Sequence, residues 1–101
     1  MVVVIFRSRL GAEAGADYEA MADEMLARAR AAPGFVSFHH YEAPDGERLA
    51  LVHWEDEETM AAWRNDARHR VAQRRGREAW YAWFDLEVAH VVRRYDFRRG
   101  A

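Results

Sequence analysis

The 101-residue chain has no cysteine, which excludes disulfides, thiolate metal sites and cysteine nucleophiles. It has no lysine either, and all 15 basic residues are arginine, scattered among 17 acidic ones. The formal net charge is only -2, so no strong attraction to nucleic acid or an anionic membrane is expected. No apolar run approaches the roughly 20 residues needed to span a bilayer. Met1 runs directly into Val2-Val3-Val4-Ile5-Phe6 without a basic leader, and a cytoplasmic address is expected. Gly-rich phosphate loops, HExxH and CxxC are missing, so flavin, nicotinamide and nucleotide cofactors are not supported. Internal repeats, low-complexity tracts and linkers are missing too, leaving one domain over 1–101.

Half of the residues are hydrophobic and 13% are aromatic, enough for a core. Val2 to Leu10 begins with a β-branched run and predicts a strand. Gly11 to Gly15 predicts a loop. Tyr18, Met21, Met25, Ala29 and Ala32 recur at steps of three and four, predicting an amphipathic helix over 17–32 that stops at Pro33-Gly34. Phe35–Glu42 and Arg48–Glu55 predict two more strands, joined through Pro44-Asp45-Gly46 as a hairpin. Asp56 is placed to cap a second helix carrying Met60, Trp63, Ala67 and Val71, with Asn65-Asp66 as a potential break. Glu78–Phe84 is a short aromatic segment, and Leu86–Phe97 predicts a long last strand.

Strand, helix, strand, strand, helix, strand is the split βαβ order of a ferredoxin-like α+β fold with an antiparallel sheet. Its helices cover one sheet face. Val2–Phe6 and Leu49–Val52 are apolar at consecutive positions, so both faces of these strands need cover. A second copy packed face to face supplies it, and a homodimer forming an α+β barrel is expected.

Chemistry-bearing residues are few. Of the histidines, His39 and His40 are consecutive on one strand and face opposite ways. His53 faces one of them according to register, without an evident third metal ligand, and His90 reads as structural or interfacial. On an unbroken helix from Asp56, His69 points away from Met60, Ala67 and Val71, into solvent. A break at Asn65-Asp66 resets the phase and can turn it inward. Trp63, Trp80, Tyr81, Trp83 and Phe84 form an aromatic concentration suited either to core filling or to a flat polycyclic ligand. Trp54 reads as core. Arg7 and Arg9 share one face of the first strand and are expected to pair with carboxylates across the dimer. Arg68, Arg70, Arg74, Arg75 and Arg77 make the end of the second helical region basic.

The chain resembles the antibiotic biosynthesis monooxygenase domains, dimeric α+β barrels that include small haem-degrading monooxygenases. The resemblance rests on Val4–Leu10, Ala32-Pro33-Gly34-Phe35, Val52-His53-Trp54-Glu55-Asp56, Trp63 with His69, Gly76-Arg77 with Trp80-Tyr81, and Val91–Phe97. It implies a small hydrophobic pocket between sheet and helices. Phe6, Trp63, Trp80 and Trp83 are the expected lining, and Trp63, His69 and Ser8 the expected catalytic groups. Some members of the family oxygenate quinols without a cofactor, some bind and cleave haem, and many have no known activity. The haem-degrading pattern puts an Asn where this chain has Ser8, a Trp matched by Trp63, and a ligating His where this chain has Gln73. The resemblance therefore implies a cofactor-free monooxygenase acting on a small aromatic molecule. A haem-binding or haem-degrading enzyme and a non-catalytic ligand-binding dimer are the alternatives.

Overall fold

A computed structural model describes residues 1–100. The elements follow the order β1 (Val2–Leu10), α1 (Ala16–Ala31), β2 (Phe35–Glu42), β3 (Arg48–Trp54), α2 (Glu57–Arg64), α3 (Ala67–Arg75) and β4 (Tyr81–His90), with a π-helical turn over Gly76–Trp80 before β4. The strands form one antiparallel sheet in the order β2-β3-β1-β4, as the split βαβ reading requires.

Register decides what each strand shows to each side. Val2 faces Trp54 and Val4 faces Val52 across β1 and β3. Val2 and Trp54 form a buried core with Ala29 of α1 and Met60 of α2, and Val4, Val52, Ala32, Phe35 and Trp63 pack against it. The helices therefore lie on the face of Val2, Val4, Phe6 and Ser8. The opposite face carries Val3, Ile5, Leu49 and Leu51, apolar residues that are half-buried. A second aromatic group holds the far end of the sheet. Phe6 packs on Tyr81 and Phe84 with centroids 5.5 Å apart in each case, and Tyr18 of α1 meets Trp80 at 5.6 Å.

Two glycines are fixed by contact. Gly34 has φ 84°, the left-handed region that ends α1, and a Cβ there would strike the Thr59 side chain. At Gly76 a Cβ would come within 2.7 Å of the Tyr81 ring, so the π turn folds back on the first residue of β4 only without a side chain.

Two expectations need correction. The last strand does not run from Leu86 to Phe97. It begins at Tyr81, absorbing the end of the aromatic segment, and stops at His90. The cause is register: His90 faces Val2, and one further bond, from the Val91 amide to the Met1 carbonyl, exhausts β1. Beyond that point Val92, Tyr95 and Phe97 are 85%, 88% and 77% exposed. Arg7 and Arg9 also find their carboxylates within the chain. Arg7 binds Glu47 at 3.1 Å and lies 3.8 Å from Asp85, and Arg9 lies 3.4 Å from Asp45.

Candidate functional site

Asp56 caps α2 as the sequence suggests, its carboxylate accepting from the Thr59 amide at 2.8 Å. The helical region then breaks at Asn65-Asp66, and Asp66 caps α3 by accepting from the Arg68 and His69 amides. This second cap restarts the helix in a new phase. His69 consequently turns toward the core and stacks on Trp63, with ring centroids 4.4 Å apart and an interplanar angle of 17°. Trp63 in turn stacks on the buried Trp54 at 6.3 Å, and Phe35 meets Trp54 edge-on at 5.7 Å.

His69 Nδ1 lies 3.1 Å from the Trp63 carbonyl oxygen. A carbonyl only accepts, so Nδ1 carries the proton and Nε2 holds the free lone pair. Burial pushes the imidazole below its usual value, against the opposing pull of the Trp63 carbonyl and Asp66, so the ring is neutral at pH 7. Gln73, one turn on, places its side-chain nitrogen 3.5 Å from the same Nδ1 and 3.3 Å from the Arg64 carbonyl, to which it donates. The position where the haem-degrading pattern has its histidine is thus the immediate neighbour of His69.

Gln73 also lines an open groove of about 650 Å³ along α3 and the π turn, with Ala67, Arg70, Val71, Arg74, Arg77 and Glu78. The Arg77 guanidinium sits 5.8 Å over the ring of Phe84, which ties this groove to the helix side of β4. There Leu86 and Val88, opposite Phe6 and Val4, are 52% and 40% exposed although they belong to the helix-facing side. A smaller cleft of about 170 Å³ is lined by Ala32, Pro33, Thr59, Ala62, Trp63 and Asp66.

The residues expected to line one pocket are not brought together. Phe6 lies four positions along β1 from Val2, which faces Trp54, so roughly 13 Å of strand separates it from the Trp63 end. Trp80 is buried, donates Nε1–H to Asp17 at 3.0 Å and packs on Tyr18; it is core. That hydrogen bond is the first cause holding the Asp17 carboxyl below its usual value. Trp83 faces Arg9 across the ladder and lies under the Arg7 guanidinium, on the sheet face away from the helices. Alternation along β4 places it there, and composition carries no sign of it. Ser8 is buried between Arg48 and Phe84 in the register, at the far end of β1 from Trp63.

Tyr81, one of the clustered aromatics, is half-buried at the start of β4. Burial pushes its phenol well above the usual range, with Tyr18 beside it adding to the effect. Two of the other histidines make polar contacts within the chain. His53 Nδ1 lies 3.4 Å from Ser37 Oγ, and His90 Nε2 lies 3.1 Å from Glu57. Among the described residues no three His, Asp or Glu side chains converge. No described helix is long and apolar enough to cross a membrane.

The sequence profile of the antibiotic biosynthesis monooxygenase family matches residues 1–75. The uncharacterized protein YqjZ of Bacillus subtilis is 30% identical over 97 residues, 96% of this chain and 84% of that one. Rv0793 from Mycobacterium tuberculosis superposes with a TM-score of 0.80 at 21% identity, covering 94% of this chain and 98% of its own. SnoaB from Streptomyces nogalater, a cofactor-independent oxygenase, superposes with a TM-score of 0.75 at 15% identity over 92% and 94% of the two chains. With a profile match over residues 1–75 and a four-stranded sheet of the same fold, the chain belongs to the antibiotic biosynthesis monooxygenase family.

Proposed function

We propose that this protein is a monooxygenase that oxidises a small quinol-like aromatic molecule with O₂, using no flavin or nicotinamide. The observation that carries the reading is the placement of His69: its Nδ1 lies 3.1 Å from the Trp63 carbonyl, which leaves Nε2 to accept a proton, and burial holds the imidazole below its usual value. A phenolate reacts with O₂ far more readily than a phenol, so the protein's task is to remove one proton in a shielded place. The overall change balances without a reductant: quinol plus O₂ gives hydroxyquinone plus water. One oxygen joins a ring carbon, the other leaves as water, and the quinol supplies all four electrons. His69 acts as general base, and Trp63 fixes the plane of the imidazole. Family membership and the likeness to SnoaB in fold support the same class of chemistry.

The haem-degrading alternative fits this chain poorly. Only Trp63 of its three groups is matched; Gln73 stands at the histidine position, and Ser8 is buried at the other end of β1. No step through haem is derived.

The reading includes a homodimer in the cytoplasm. The apolar face of Val3, Ile5, Leu49 and Leu51, on the side of the sheet away from the core, is the surface a second copy would cover.

Incubation of the protein with simple hydroquinones under air and under nitrogen tests the activity. Oxygen uptake above autoxidation is expected under air, with His69→Ala slower by a hundredfold or more. Equal product in both atmospheres, or none above the uncatalysed rate, rejects it.

A further inference from the structure

Seven residues line the α3 groove, and its charge is unbalanced. Arg70, Arg74 and Arg77 recur along one stripe of α3 and the π turn, while Glu78 is the single carboxylate. The other two arginines on this stretch are neutralised: Arg68 binds Glu24 at 2.6 Å, and Arg75 binds Asp17 at 3.2 Å. Among the described residues, the three groove arginines have no carboxylate within 4 Å, Glu78 included. Between them lie the apolar Ala67 and Val71 and the amide of Gln73. A volume of about 650 Å³ is within the usual range for a small-molecule site, roughly 300–1,000 Å³.

We infer that this groove takes an aromatic acid, its carboxylate held by Arg70, Arg74 and Arg77 and its ring laid toward the exposed apolar edge of β4. Guanidinium groups match a carboxylate in geometry as well as charge, and they bind it bidentately. Arg77 already stacks over Phe84, which packs on Phe6, so the cationic rim passes directly into an apolar, aromatic wall. Gln73 joins the groove to His69. The inference rests on the reading that the protein binds a small aromatic molecule, and narrows that class to anionic members.

The test compares 2-naphthoate with 2-naphthamide, which have the same ring and differ in charge. Binding to the full chain is followed by tryptophan fluorescence or calorimetry. The naphthoate is expected to bind at least tenfold more tightly at low salt. That advantage is expected to shrink severalfold in 0.5 M salt and to fall to about twofold or less in Arg70→Gln/Arg74→Gln/Arg77→Gln. The three side chains are exposed and lack carboxylate partners, so the variant should fold; its circular dichroism checks this. Equal affinity for the two ligands in the wild-type protein overturns the inference without any variant. So does a preference that survives in the triple variant. Retention on immobilised DNA that is lost in the triple variant, without naphthoate selectivity, also overturns it in favour of a polyanion surface. Failure of the oxygenase reading is separate: charge-selective binding with no oxygen uptake rejects the catalysis and keeps the ligand class, whereas uptake with neutral quinols alone does the reverse.

Discussion

The imidazole of His69 lies flat on the indole of Trp63, 4.4 Å away, and its Nδ1 is 3.1 Å from the carbonyl of that same residue. One tryptophan therefore sets the ring's plane, its tautomer and part of its burial. Trp63→Ala is expected to do two things. It should destabilise the fold by about 2 kcal/mol, less than the roughly 3–5 typical of a fully buried tryptophan, because this one is half-buried. It should also expose His69 and raise its titration midpoint toward about 6.5, the ordinary value. Proton NMR of the imidazole against pH measures the second effect; an unchanged midpoint contradicts it.

The same burial fixes a pH dependence. The folded imidazole titrates below its unfolded value of about 6.5. As pH falls through that value the unfolded chain takes up the proton first, so stability is intact above about 6.5 and declines below it, levelling off once the folded ring is also charged. If His69 is the base, the acid limb of kcat/KM lies below pH 6.5 and disappears in His69→Gln. Denaturation midpoints at pH 5 and 7.5, compared between wild type and His69→Gln, isolate the contribution of this one ring.

Asp66 holds the break that turns His69 inward. Its carboxylate accepts from two backbone amides of α3 and lies 3.5 Å from Arg28. Asp66→Ala is expected to lower Tm by several degrees, and Asp66→Asn, which keeps a capping oxygen, by clearly less. Equal losses in the two variants would mean that the charge toward Arg28 matters and the cap does not.

The two tryptophans flanking Tyr81 should behave oppositely. Trp80→Ala removes a fully buried ring and is expected to cost about 3–5 kcal/mol. Trp83, on the far face of the sheet, should contribute little to the isolated fold. If two copies meet across that face, Trp83→Ala and above all Leu51→Glu weaken the association. Sedimentation at micromolar concentration reads this directly, and a wild-type protein of monomer mass rejects the dimer.

Haemin offers a separate check. With Ser8 and Gln73 at two of the three positions, no His69-dependent Soret shift is expected on titration. A shift abolished by His69→Ala would reinstate the haem reading.

Local patterns alone determined the order of elements, the hairpin at Asp45-Gly46, the cap at Asp56 and the mixed α and β class. Each depends on residues within a few positions of one another, through periodicity, turn geometry and capping. Three things were decided by distant partners. The end of β4 is set by where β1 starts, because a strand without a neighbour cannot satisfy its backbone. Trp83 and Phe6 part company because register assigns alternate residues to opposite faces, and the bulge at Arg9-Leu10 adjusts the pairing only at the strand end. The direction of His69 turned on whether the helix broke at Asn65-Asp66. The sequence contains both phases; the Asp66 cap, tied to α1 through Arg28, together with stacking of the imidazole on Trp63, selects the inward one.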